Sequence, residues 1–299
     1  MNPIVECIPN FSEGRRQEVV EAIADTIRSV EGVRLLDYSA DKNHNRSVFT
    51  FIGNPKAVAE AAFLSCKKAA ELIDMTKHKG EHPRMGATDV IPFVPVRDIT
   101  VEECIELSKK VGERIAEELS IPVFLYEDSA TKPERKNLAD IRKGQFEKMA
   151  EKLKDPQWAP DFGKPEIHPT AGVVAVGARK PLIAYNINLD TSDIKIADTI
   201  AKLIRERSGG LKNVRAIGVM LEDRNLAQVS INMVDYERTA LYRAFEMVKM
   251  EARRYGVNIV GSEIVGLTPM KALIDVAEYY LQLENFDSNK QILENYLLQ

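Results

Sequence analysis

Cysteine is scarce in this chain. The three residues, Cys7, Cys66 and Cys104, stand far apart and form no C-x-x-C pair. That excludes a disulfide framework and a paired-thiol metal or redox motif. They read as reduced thiols in a cytoplasmic protein, with Cys66 and Cys104 on apolar helix faces. No apolar run approaches the roughly 20 residues that span a bilayer. The opening residues, MNPIVECIPNFSEGRR, show no basic start followed by an apolar stretch, so a signal peptide is not expected. An excess of basic charge is also missing. The net charge of −4 gives no general attraction to nucleic acid or to an anionic membrane. Neither G-x-x-x-x-G-K-[ST] nor G-x-G-x-x-G occurs, so nucleotide loops are unsupported, and G-x-S-x-G is absent too.

What remains is an ordinary globular composition. The 299 residues are 44% hydrophobic and 29% charged, enough for about two domains with normal cores. Residues 3–8 read as a strand. Helical spacing of Val19, Val20, Ile23, Ile27 and Val30 marks a helix over 14–30. EGVRLLDYS and RSVFTFIG are strands around the turn DKNHN, which is rich in Asp and Asn. Pro55 opens an Ala-rich helix. DVIPFVPV is a strand whose Pro92 and Pro95 predict an edge or irregular position. A further helix starts with Thr100 and Glu103 as a capping box.

Residues 127–170 differ in kind. Apart from a helix near 138–153 they read as a long, Pro-punctuated loop. Trp158, the sole tryptophan, and Phe162 argue that it packs on something. The second half then repeats the first: strand 181–189, helix from a cap at Thr191 or Ser192, two strands around EDRN, a helix to Gly256, and a last strand. The order β-α-β-β-α-β occurs twice. We expect an α/β (α+β) fold of two similar ferredoxin-like split-βαβ subdomains, residues 1–180 and 181–299, with a cleft between them and a helical tail at 269–299.

The richest chemistry lies in HKGEHPRMGATDVIPFVPV, residues 78–96. His78, Glu81 and His82 spell H-x-x-E-H, a zinc motif when it lies on a helix. Gly80 weakens a helix and Pro83 pushes His82 away from helical angles, so a loop is the better reading. A loop histidine titrating near neutrality suits general acid/base work, with Glu81, Arg84 and Asp89 placed to tune it. The residues alone leave a plainer alternative open, in which His82 caps a helix end and Arg84 pairs with a surface carboxylate. His78 reads as structural and His44 as an ordinary turn histidine. His168 is ambiguous, and Arg46 starts a strand within reach of the cleft.

Six stretches are more specific. VECIPNFSEG at 5–14, the 78–96 segment, WAPDFG at 158–163, GARKPLIAYNINL at 177–189, NLAQVSINMVD at 225–235 and VGSEIVGLTPMKALIDVA at 260–277 together resemble glutamate formimidoyltransferase, to about residue 280. The likeness is to the transferase domain without the cyclodeaminase domain of animal relatives. It implies transfer of the formimidoyl group from N-formimidoyl-L-glutamate to N5 of tetrahydrofolate, in histidine degradation. Tetrahydrofolate is then a co-substrate, with no metal. It also implies a folate tunnel between the subdomains and a cytoplasmic homodimer. His82, in GEHPRMG, matches the family's catalytic histidine, acting as general base and then acid. The folate-binding stretch falls on Gly163, Lys164, Pro165, Glu166, Ile167, His168, Pro169, Thr170, Ala171 and Gly172. Arg46, Arg84, Arg179 and Lys180 are candidates to hold substrate carboxylates. Two other functions fit the same fold: a 5-formyltetrahydrofolate:glutamate formyltransferase, and a folate binder without turnover.

Overall fold

The computed structural model describes residues 3–296. The first two residues of the N-terminal stretch and the last three of the expected tail lie outside the described residues. The chain divides into two compact units, Met1–Lys180 and Pro181–Gln299.

The first unit opens with two short strands, β1 (Ile4–Cys7) and β2 (Asn10–Phe11), and helix α1 (Gln17–Arg28). The helix begins three residues later than its apolar spacing suggests. Glu13, almost fully buried, accepts the backbone N–H groups of Arg15 and Arg16 and pairs with the Arg16 side chain, so 13–16 form the turn before the helix. Then come β3 (Val33–Asp41), β4 (Arg46–Gly53), α2 (Pro55–Leu72), β5 (Thr88–Arg97) and α3 (Val101–Leu119). The start signals of α2 and α3 work as their chemistry predicts. Asn54 accepts from Ala57 ahead of Pro55, and Thr100 and Glu103 exchange both bonds of a capping box. Cys66 and Cys104 lie on the buried faces of these helices, both unpaired.

Of the two positions its prolines allow, an edge or an irregular one, strand β5 takes the irregular one. It is not an edge: it pairs antiparallel with β1 and β2 on one side and parallel with β7 (Val174–Ala178) on the other. The prolines are tolerated because the ladder breaks beside them. The gap between β1 and β2 falls opposite Pro92, whose carbonyl accepts from Ile8, and a register shift at Ile4/Val5 falls beside Pro95. Residues 88–94 are buried, as in a strand covered on both faces.

The remaining elements of this unit are β6 (Val123–Glu127), which joins β7 in parallel, and two short helices, α4 (Leu138–Arg142) and α5 (Gln145–Lys152). The helix expected near 138–153 is thus broken at 143–144. Trp158 packs on a small core of Met85, Phe124, Ile141 and Met149, with the Lys152 ammonium 3.7 Å over its ring, and Phe162 packs on the main core.

The second unit contains β8 (Ile183–Leu189), α6 (Ile194–Ile204), β9 (Val214–Leu221), β10 (Leu226–Met233), α7 (Leu241–Arg253), β11 (Ile259–Val265), α8 (Met270–Leu281) and α9 (Ser288–Gln291). Its antiparallel sheet runs β11-β8-β10-β9. Alternation makes its core: Ile183, Tyr185, Ile187 and Leu189 of β8 and Ala227, Val229, Ile231 and Met233 of β10 face the helices. The cap of α6 is Asp193, which accepts from Lys195, rather than Thr191 or Ser192; the Thr191 hydroxyl, two residues earlier, accepts the Asp193 backbone N–H.

Candidate active site

After α2 the chain leaves helical geometry at Ile73, so residues 78–82 form a loop and His78 and His82 do not share a helix face. The loop is stitched to the turn between β3 and β4. Glu81 donates its backbone N–H to Asn43, and the Asn45 amide donates to the carbonyl of Lys79. Gly80 makes this approach possible: a Cβ there would lie 2.2 Å from the carbonyl oxygen of His44. The glycine read as a helix breaker is also the point where loop and hairpin touch.

His78 is structural. Its Nδ1 accepts from Arg84 Nε at 3.1 Å, which leaves Nε2–H to donate to the Asn45 carbonyl at 2.9 Å. Arg84 is only 6% exposed and forks onto the Glu147 carboxylate, with a further bond to Gln145. Its guanidinium is thus engaged by Glu147, Gln145 and His78.

His82 sits in a charged nest. Arg46 Nη1 lies 3.1 Å from its Nδ1 and 2.9 Å from Asp89 Oδ2, and Arg46 Nη2 donates to Asn10 at 2.7 Å. Asp89 is fully buried, accepts from Arg142 as well, and takes the backbone N–H of Met85 on its other oxygen. Burial alone would push the Asp89 carboxyl up; Arg142 and Arg46 outweigh it and hold the group below its ordinary value. For His82, burial and then Arg46 and Arg142 act together and lower it to about 4. A guanidinium has no lone pair, so Nδ1 of His82 accepts and the neutral ring carries its proton on Nε2. Among the described residues no side-chain hydrogen bond or ion pair joins Glu81 to His82; the tuning comes from Arg46, Asp89 and Arg142.

His44 stands edge-on to His82, ring centroids 6.0 Å apart, with its Nδ1 3.3 Å from the Asp41 carboxylate. The sequence reading took it as an ordinary turn histidine. Arg142, in the punctuated segment, gave no local signal at all.

The stretch 163–172 is divided. Residues 163–166 are exposed, with Gly163 at φ +89°. Residues 170–173 are knitted to the chain on both sides of His82: Met75 donates to Thr170, Ala87 to Ala171, and Val173 to Met85. His168 folds back so that its Nδ1 accepts from Thr170 and Ala171. Arg179 lies elsewhere. Its N–H bonds to Phe93, four residues along β5 from Asp89, or about 13 Å of strand. There its charge offsets the burial that raises Glu6. The structure thus joins Arg46 to His82, ties residues 170–173 to Met75, Met85 and Ala87, and leaves Arg179 and Lys180 at the other end of the strand.

Comparison with known proteins adds the lineage. Residues 4–179 match the N-terminal subdomain of the formiminotransferase domain, and residues 184–295 match the formiminotransferase domain. The chain is 66% identical to a glutamate formimidoyltransferase of Streptococcus pyogenes over the full length of both. It is 51% identical to one from Thermoplasma acidophilum, covering 97% of this chain and 96% of that one. It is 49% identical to mouse formimidoyltransferase-cyclodeaminase, over 95% of this chain but 53% of the relative. With both units matched and identity high along nearly the whole length, the chain belongs to the formiminotransferase family.

Proposed function

We infer that the protein is a glutamate formimidoyltransferase, moving the formimidoyl group of N-formimidoyl-L-glutamate to N5 of tetrahydrofolate and releasing L-glutamate and 5-formimidoyltetrahydrofolate. The observation that carries this reading is the 66% identity, end to end, with an enzyme of that name. Tetrahydrofolate serves as co-substrate.

The finer reading is supported as follows. The second unit runs strand, helix, strand, strand, helix, strand before its closing helices, and its sheet has the order last-first-third-second that a ferredoxin-like unit requires; the first unit holds the same alternation with a split first strand and adds the parallel strands β6 and β7. His82 is the reacting-site histidine, presenting Nε2–H in a nest it shares with Arg46, Asp89 and Arg142. The turn at 168–172, bonded beside it, belongs to the folate site with 163–167. Arg46, bonded to Asp89, Asn10 and His82, orients His82 rather than gripping a free carboxylate. Three buried, unpaired thiols support a cytoplasmic setting. Exposed apolar side chains of α8, among them Leu273, Tyr279 and Leu281, support a homodimer.

The test is direct. Purified protein is mixed with tetrahydrofolate and either N-formimidoylglutamate or N-formylglutamate while the folate spectrum is followed. Transfer from the formimidoyl donor is the expected result; transfer from the formyl donor alone overturns the reading. His82→Gln removes most of the transfer, about 10²–10⁴-fold in kcat, while the far-UV spectrum stays that of the parent.

A further inference from the structure

Arg142 enters the His82 nest from a short support. It is the last residue of α4, a helix of five residues. That is well under the roughly 12 residues at which an isolated helix begins to hold itself in water. A helix end also leaves its last carbonyls without partners inside the helix. The Arg142 side chain is held at one point: one amino group meets Asp89, and the buried Nε has no partner among the described residues. The fixing of this helix end comes from α5. Lys152, its last residue, turns its ammonium back on α4. Nζ donates to the carbonyls of Asp140 and Ile141, each at 2.6 Å, and lies 3.5 Å from that of Lys143. These three carbonyls bracket Arg142 on both sides, and an ammonium, with three donors and no acceptor, suits them.

Trp158 closes the ammonium from another side, its ring 3.7 Å from Nζ, and packs with Ile141 of α4 and Met149 of α5 in one small core. Burial lowers the Lys152 ammonium to about 8, with Asp140 opposing and Lys143 adding, so it is charged at neutral pH. A cation withdrawn from water in this way needs its carbonyl and ring partners. The line runs on into the site. Arg142 and Arg46 share a single oxygen of Asp89, Oδ2, and Arg46 reaches the His82 ring with the same nitrogen that meets that oxygen. A shift of Arg142 is therefore felt at Asp89, at Arg46 and at His82.

We propose that Lys152 is a positioning residue of the transfer site: by gripping the carbonyls that bracket Arg142 it sets where that guanidinium meets Asp89, and through Asp89 and Arg46 it sets the charge around His82. Trp158 completes the grip. The rival role for Lys152 is a plain tie between α4 and α5. A tie of that kind changes stability alone. A positioning residue also changes the His82 ring, and does so only while Arg142 is present.

The proposal rests on the transfer reading above, and its main readout needs no substrate, so the two can fail separately. Lys152→Met, Lys152→Gln and Lys152→Arg are made in the parent and in Arg142→Gln. Proton NMR follows the His82 imidazole across pH 3–8, with kcat, KM and urea unfolding alongside. In K152M and K152Q the Arg142 guanidinium leaves Asp89, less positive charge faces the ring, and its midpoint rises by about half a pH unit or more. The same variants lose about 10-fold in kcat with a smaller change in KM. K152R, which keeps a cation with donors, restores most of both. In the R142Q background the Lys152 variants move the midpoint no further, because the two residues act in one line. An unmoved midpoint in K152M and K152Q, a stability loss with no other change, or equal shifts with and without Arg142 overturns the proposal. Should K152M not fold, K152Q and K152R are read by the same criteria. Absence of transfer in the parent overturns the transfer reading instead, while the His82 midpoint still reports the grip.

Discussion

Arg46 reaches His82 and Asp89 through the same nitrogen: Nη1 lies 3.1 Å from the ring and 2.9 Å from the carboxylate. The arginine therefore does two jobs. It neutralises a buried charge, and it occupies the ring nitrogen that an imidazolium would need as a donor. Replacing it with glutamine keeps a donor but removes the charge. Burial and Arg142 still lower His82, so its titration midpoint rises from about 4 by about one pH unit. Proton NMR of the imidazole across pH 3–8 checks this; an unmoved midpoint shows that burial alone sets the value.

Asp89 is the keystone carboxylate. Asp89→Asn leaves Arg46 and Arg142 facing each other without their shared anion. Breaking a buried pair by removing one partner costs about 3–5 kcal/mol. Urea unfolding of D89N is expected to show a loss in that range; a change below about 1 kcal/mol means that solvent reaches the two guanidinium groups.

Stability also depends on pH through His82. The folded value, about 4, lies below the unfolded value of about 6.5. The unfolded chain thus binds the proton first. The contribution is complete above about pH 6.5 and is lost as pH falls towards 4. With solvent screening at the half-buried ring, the difference between parent and His82→Gln over that window is about 1–2 kcal/mol. Parallel denaturation curves for the two proteins at pH 7 and pH 4.5 decide the sign: the parent loses more.

Gly80→Ala places a methyl group into the His44 carbonyl, 2.2 Å away, and must separate loop from hairpin. Gly261→Ala, with nothing within 4 Å, serves as the control. A loss of about 1–3 kcal/mol and a lower kcat are expected for G80A, against a change within about 1 kcal/mol for the control. Equal stability and activity in the two variants means that the turn shifts freely.

The thiols are predicted to be inert. Cys7 and Cys66 are fully buried, and burial pushes the Cys66 thiol up to about 12 and Cys104 to about 11. An aromatic disulfide reagent is expected to label none of them in native protein at pH 8 and all three in guanidinium. Fast native labelling of any one marks local opening around its helix or strand.

Local signals were the legible ones. Asn54 with Pro55, and Thr100 with Glu103, announce their helices because cap bonds span three residues. Gly80 and Pro83 announced a loop for the same reason. The doubled strand-helix order follows from periodicity, which is also local. The failures were contacts between distant segments. Pro92 left an edge and an irregular position open, and only the break between β1 and β2, some eighty residues away in sequence, decides for the irregular one in a central strand. Arg142 is separated from Asp89 by 53 positions, and the close approach of Gly80 to the His44 carbonyl joins two separate turns. Composition of the turn DKNHN says only that it turns.

The fork between Arg84 and Glu147 joins the histidine loop to α5, a helix in the long punctuated segment. Glu147 is more than half exposed while Arg84 is buried, so the inner end of this strut is fixed and the outer end meets solvent. Any event that lifts α5 off the surface pulls on Arg84, and through it on the ring of His78 and the carbonyl beside it. The segment read as a long punctuated loop is thereby a brace for the histidine loop, anchored on it through one buried guanidinium.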